Sequence, residues 1–110
     1  MGGSGGGGGG WTDDRQTRPD VCNLLAFDTL LQSPDLTVLS QIQVGDVLVL
    51  EVRQIGGADA VLAIFNGNVA GTIMSQSANT LLACMLQGHG YRATVQTISL
   101  PTCKVSISHI

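Results

Sequence analysis

Three cysteines and two histidines carry most of the reactive side-chain chemistry of this 110-residue chain. They are Cys22, Cys84, Cys103, His89 and His109. A structural zinc ion needs four converging nitrogen or sulfur ligands, and a pair of them usually comes from a Cys-x-x-Cys turn. No two of these residues have that spacing. We therefore predict no metal, no cofactor and no catalytic residue.

The cysteines are odd in number and irregularly spaced, which does not indicate a disulfide framework. We expect buried free thiols, because an unpaired cysteine behaves as a small hydrophobic residue. Two alternatives stay open. Cys22 and Cys103 each begin a predicted terminal strand, where an oxidised pair is possible. The second alternative is an enzyme that uses Cys84 or His89.

The remaining polar residues have ordinary roles as turn residues. His89 lies between two glycines at a predicted helix end, which favours an exposed turn histidine. Asp46 follows a glycine, where an aspartate commonly accepts a turn hydrogen bond. Nothing in the sequence pairs Asp28 with Asp46. Gly56-Gly57 and Gly88-His89-Gly90 lack the strand–loop–helix context and the Lys-Ser/Thr of a phosphate loop.

Charge is scarce along the whole chain. Only 12% of residues are charged and the formal net charge is −3, so a basic stripe for a phosphate backbone is missing. We expect a weakly charged surface that associates with a partner or with itself. No apolar run reaches the roughly 18 residues of a membrane span. No charged-then-hydrophobic segment precedes residue 21, so we expect no leader, unless the added linker replaced a native start. We expect a bacterial protein without membrane association. The three cysteines form no disulfide framework, which favours a reducing cytoplasm.

The central part of the chain has the pattern of a three-stranded meander. Gly56 and Gly57 separate the first two strands, and Asn66 and Gly67 separate the last two. An Asn-Gly pair between β-branched runs is a strong hairpin signal, because both residues tolerate the positive φ of a type I′ turn. The predicted strands are 47–55, 60–65 and 69–73.

The segments before and after the meander predict three more strands and two helices. Residues 21–31 suit a first strand, and Ser33 with Pro34 suits the start of a short helix through residue 40 with Leu36 and Leu39 facing inward. Strict alternation predicts strands 91–99 and 103–110.

The region 74–90 contains the clearest helix signal. Apolar residues recur with the spacing of one buried helix face: Ala78, Leu81, Leu82, Met85 and Leu86. Ser75 or Ser77 can cap its start, and Gly88 suits a left-handed stop at its end.

These elements define one small α+β domain that is mainly β. We predict a six-stranded, partly closed antiparallel barrel capped by one helix, with a short second helix. The domain is expected over residues 21–110. Residues 1–10 are Gly/Ser-rich and have the composition of an added flexible linker, and residues 11–20 are expected to be a flexible lead-in.

From residue 45 to residue 110 the pattern resembles the HIRAN domain, a small β-barrel module of DNA-repair and helicase-linked proteins. The resemblance rests on the segment 45–50, on Asp59 and Ala60, on Asn66 and Gly67 with 69–71, on Leu81 and Leu82, and on 93–95. It implies a single-stranded DNA 3′-end binding module, with Arg53, Tyr91 and Arg92 as the residues equipped for phosphate and base. The family's loop between the first two meander strands contains proline and an aromatic residue, and residues 55–59 here contain neither.

The scarcity of basic residues favours a different function. We predict a non-enzymatic protein–protein interaction or self-associating module, which uses a barrel edge or the polar faces of the last two strands. DNA-end binding is the alternative.

Overall fold

The computed structural model describes residues 19–110, with side chains from residue 21 onward. The predicted linker 1–10 and most of the lead-in 11–20 lie outside the described residues. The elements in chain order are α1 (Pro19–Leu24), β1 (Ala26–Leu30), α2 (Leu36–Leu39), β2 (Val47–Ile55), β3 (Ala58–Phe65), β4 (Asn68–Ile73), α3 (Ala78–Leu86), β5 (Tyr91–Ser99) and β6 (Thr102–His109). None of these helices is long and apolar enough to cross a membrane.

The six strands form one antiparallel sheet in the order β1-β6-β5-β2-β3-β4. This confirms the predicted mainly β, α+β class. The sheet does not close into a continuous barrel. Its two edges approach at a single bridge, where Gln32 and Thr72 exchange two backbone hydrogen bonds of 2.9 Å.

Both hairpins of the meander turn through residues with positive φ. Gly56 and Gly57 have φ of 61° and 83°, and Asn66 and Gly67 have φ of 50° and 82°. Positive φ at both central residues defines a type I′ turn, whose twist matches that of the flanking strands. The predicted bounds of β2 and β5 are confirmed.

One face of the curved sheet carries the hydrophobic core. Alternate residues of β2, β5 and β6 point into it, as period-two patterning requires. Strands β3 and β4, the three helices and two connecting residues contribute the rest. The buried cluster comprises Cys22, Leu31, Val38, Leu39, Ile42, Leu48, Leu50, Val61, Ala63, Ala70, Ile73, Leu81, Cys84, Tyr91, Ala93, Val95, Cys103, Val105 and Ile107.

The predicted main helix is confirmed as α3, but its buried face is rotated from the prediction. Leu81 and Cys84 are fully buried, Leu82 and Met85 are half-buried, and Leu86 is 61% exposed. Cys84 takes the central position because its side chain is bonded to another element. The helix ends as expected, with Gly88 at φ 104°.

The first predicted strand is wrong over its first four residues. Residues 21–24 belong to helix α1, and the strand is shortened to Ala26–Leu30. Pro19 begins the helix, where its missing N–H costs no hydrogen bond. Contacts of Cys22 with α3 and β5 hold this turn against the core.

The short helix α2 starts later than predicted. Asp35 caps it, because its side chain accepts a 3.2 Å hydrogen bond from the Val38 N–H. Ser33 instead has a φ of 48°. Val38 and Leu39 face inward, while Leu36 is exposed.

Gly71 permits the close approach at the bridge between the two edges. A Cβ atom added there would lie 2.9 Å from Leu31 Cβ and 3.2 Å from the Gln32 carbonyl oxygen. We expect Gly71→Ala to lower the free energy of unfolding by about 1–3 kcal/mol, because the two segments must separate. Urea unfolding followed by circular dichroism measures this loss.

Gly90→Ala is the matched control. Its added Cβ would lie 3.5 Å from Ile110 Cδ1, an ordinary contact, so we expect little change. An unaltered urea midpoint for Gly71→Ala would show that the close approach of the two segments is not important for stability.

Candidate functional site

The described residues form an apolar groove of about 510 Å³. It lies between the end of the β2–β3 hairpin, the end of β4 and the first turns of α3. We call it the hairpin groove. Its lining comprises Ile55, residues 58–61, residues 72–75, Ala78, Asn79 and Leu82.

The groove exists because β3 and β4 have different extents. The last pair between them is Val61 with Ile73, so residues 58–60 continue beyond β4 and pair only with β2. After Ile73 the chain leaves the sheet and begins α3 at Ala78. The extended hairpin forms one wall and α3 forms the other.

The lining of the groove is mainly apolar. Ile55 and Met74 are 55% and 66% exposed, and Leu82 is half-buried. Asp59 is the only ionisable side chain of the lining.

The cysteine prediction is wrong for two of the three residues. Cys22 and Cys84 form a disulfide with a Cα–Cα distance of 5.5 Å, which ties α1 to α3. Cys103 is a buried free thiol, as predicted, and the alternative pairing of Cys22 with Cys103 is not formed. Sequence spacing could not reveal the pairing, because the two cysteines are 62 residues apart.

A polar cluster lies beside Cys22, where β5 begins and β6 ends. The Tyr91 hydroxyl donates a 2.5 Å hydrogen bond to the Cys22 carbonyl oxygen. The ring of His109 packs edge-on against Tyr91 at 5.0 Å, and its Nε2 lies 3.0 Å from His89 Nδ1. Burial raises the pKa of Tyr91, so its hydroxyl remains a donor well above neutral pH. This cluster holds α1 and the end of α3 on the sheet.

His89 differs from the sequence expectation. His89 was predicted to be an exposed turn residue, but it is half-buried because its ring pairs with His109. The described residues contain no group of three His, Cys, Asp or Glu side chains that could hold a metal ion. Asp46 has its predicted turn role, since its carboxylate accepts the Gln43 N–H at 2.9 Å.

The three residues predicted for DNA binding do not converge. Arg53 forms an ion pair with Glu51. Arg92 is exposed and pairs across the sheet with Val49, four residues before Arg53, or roughly 13 Å along the strand. Tyr91 is 2% exposed and points to the opposite face from Arg92. Its ring offers no open face on which a base could stack.

Sequence reasoning missed the residues that line the hairpin groove. Ile55 ends β2 and Met74 follows the end of β4. Alternation along a single strand does not show that these ends form a groove with α3. The one available signal was the Gly56–Gly57 turn, which fixes the end of the hairpin.

No protein-family model, no curated protein and no solved structure matches this chain. The HIRAN-like resemblance therefore stays a prediction.

The disulfide has a measurable effect on stability. Closing a loop between residues 62 apart is expected to restrict the unfolded chain by about 4 kcal/mol in the loop-entropy description, and measured values are typically about 2–4 kcal/mol. We expect the double variant Cys22→Ala/Cys84→Ala to lose this amount in urea unfolding. Reduced wild type should show a comparable loss, and the double variant should not respond to reductant. Alkylation of three thiols in unfolded, unreduced protein would exclude the disulfide.

Burial also raises the pKa of the Cys103 thiol. The thiol of the unfolded chain ionises near pH 8.5. The stability that the buried, protonated Cys103 thiol contributes is therefore fully present below that pH, and it is lost as the pH rises through the higher pKa of the folded state. The slope approaches about 1.4 kcal/mol per pH unit. We expect wild type to lose stability above about pH 8.5 more steeply than Cys103→Ala, as measured by urea midpoints. Equal slopes would show that Cys103 does not contribute.

Proposed function

We propose that this chain is a non-enzymatic protein-binding module whose contact surface is the hairpin groove. The observation that carries the proposal is the exposure of Ile55 and Met74 in a concave apolar site of about 510 Å³. Sites of roughly 300–1,000 Å³ with apolar walls and few polar groups are typical of ligand binding. A short segment of a partner protein fits this volume.

The edges of the sheet are less suited to contact. Backbone groups of Ala70 and Thr72 on edge strand β4 are already bonded to Asp35 and Gln32. The other edge strand, β1, carries Asp28 at its centre, and a charge on an edge strand opposes pairing with another chain. Two copies paired through β1 would bring two such carboxylates together.

A binding role is also supported by the state of the reactive groups. Cys22 and Cys84 are bonded to each other, Tyr91 is bonded to a backbone carbonyl, and the two histidines are bonded to each other. Each of these groups has a structural partner, and none of them lines the groove.

DNA-end binding has less support, because Tyr91 is buried and Arg53 is paired with Glu51. Cytoplasmic localisation stays a prediction, and it no longer has the support of three free cysteines. Disulfides persist mainly in oxidising compartments.

The proposal can be tested by selecting random displayed peptides on wild-type protein. We expect apolar sequences, and we expect Met74→Asp to weaken their binding about tenfold or more, because a carboxylate in the groove would lose hydration without gaining a partner. Isothermal titration with the selected peptides measures the affinities. Val44→Asp is the matched control, since Val44 is 65% exposed and does not line the groove.

Three outcomes would contradict the proposal. The selection could yield no peptide, or Met74→Asp and Val44→Asp could weaken binding equally. A 3′-ended oligonucleotide could also bind the protein at low salt with an affinity that Arg92→Ala abolishes, which would favour the DNA-end function.

A further inference from the structure

We propose that the hairpin groove binds its partner by strand addition: an extended peptide pairs with the main chain of Asp59 beside residues 58–60. This inference rests on the proposed function, and it names the chemistry of the occupant. It follows from where the backbone groups of the hairpin point.

The Gly56–Gly57 turn determines which residues of β3 face β2. In a two-residue type I′ hairpin the residues on either side of the turn exchange both backbone hydrogen bonds. Here these residues are Ile55 and Ala58. Hydrogen-bonded and non-hydrogen-bonded pairs alternate along an antiparallel ladder. Asp59, opposite Gln54, is thus in a non-hydrogen-bonded pair, and its N–H and C=O point away from β2.

The hydrogen bonds of β4 independently show the same alternation of backbone directions. Thr72 and Ala70 of β4 direct their backbone groups outward, to Gln32 and Asp35. The odd residues of β4 therefore face β3, and Val61 opposite Ile73 faces β4. Asp59 is two residues from Val61, so its backbone groups point to the same side.

Nothing among the described residues occupies the position opposite Asp59. The register would place Ser75 there, but β4 ends at Ile73. The Ser75 carbonyl oxygen instead accepts the Ala78 N–H at 3.0 Å, and its hydroxyl accepts the Ser77 N–H at 3.2 Å. One backbone donor and one backbone acceptor of Asp59 are left facing the groove. Unpaired main-chain groups at a sheet edge are the basis of peptide binding by β-augmentation.

The side chains of the groove define the occupant. A peptide added here would direct alternate residues toward Val61 and Leu82, which favours branched apolar side chains. The Asp59 carboxylate is the only ionised group of the lining and forms no ion pair with a described residue. Flanking lysine is therefore compatible with this site, and flanking glutamate is opposed.

The experiment uses the full chain and the blocked peptide acetyl-Lys-Val-Leu-Val-Lys-amide. Alternate residues of an extended peptide direct their N–H groups to opposite edges. Two N-methylated forms, one methylated at leucine and the other at both valines, therefore remove donors from one edge at a time. We expect one of these forms, and not the other, to bind about tenfold more weakly, as one lost hydrogen bond requires. The Asp59 amide should become protected from hydrogen exchange when the unmodified peptide binds.

A protein variant provides the reciprocal test. Asp59→Pro removes the donor at a position that β2 does not use, while Asp59→Asn keeps it. We expect the proline variant to bind the unmodified peptide about tenfold more weakly than the asparagine variant, because it lacks the bond from the residue 59 N–H to a peptide carbonyl oxygen. The peptide with glutamate in place of lysine should bind more weakly to wild type.

The outcomes separate this inference from the function on which it rests. Equal binding of all three peptides, still abolished by Met74→Asp, would overturn strand addition and leave the groove as a binding site. Failure of every peptide to bind, with the Asp59 amide unchanged, would overturn strand addition. If displayed peptides also failed to bind, the proposed function would fall with it.

Discussion

The two-residue turn at Gly56 and Gly57 is the constraint on which the arrangement of the meander depends. Positive φ at both residues pairs Ile55 with Ala58, and the period of two then fixes every later position of both strands. Val61 and Ala63 face the core as a result, and their backbone groups face β4. A shift of one residue would exchange core and solvent faces and would turn the Asp59 backbone groups toward β2.

The second constraint acts over a long distance in sequence. The disulfide between Cys22 and Cys84 and the hydrogen bond from Tyr91 to the Cys22 carbonyl join three elements that are remote in the chain. Charge contributes little to this assembly, since Arg53 with Glu51 is the one ion pair among the side chains of residues 21–110. Hydrophobic burial, a covalent link and a few buried hydrogen bonds hold the helices on the sheet.

Local rules were sufficient for the elements whose residues interact with near neighbours in sequence. The bounds of β2 and β5 follow from alternation and turn chemistry, and α3 follows from its apolar spacing and Gly88. The same rules failed for residues 21–24, whose helical conformation is stabilised by contacts with α3 and β5. They also failed for Cys22 and Cys84, because a disulfide between two of three cysteines depends on tertiary proximity. The presence of six antiparallel strands was predicted from the pattern, and their order in the sheet and the bridge between Gln32 and Thr72 were not.

The candidate site was the least predictable part, for a physical reason. A groove formed by strands of unequal length is a property of where strands end, and strand ends are set by tertiary competition more than by propensity. Here β4 stops at Ile73 because Ser75 accepts hydrogen bonds from the first residues of α3. The start of the helix thus removes the partner that Asp59 would otherwise have in the sheet. A backbone donor and acceptor of Asp59 remain beside exposed Ile55 and Met74. The proposed binding of an extended peptide depends on this combination.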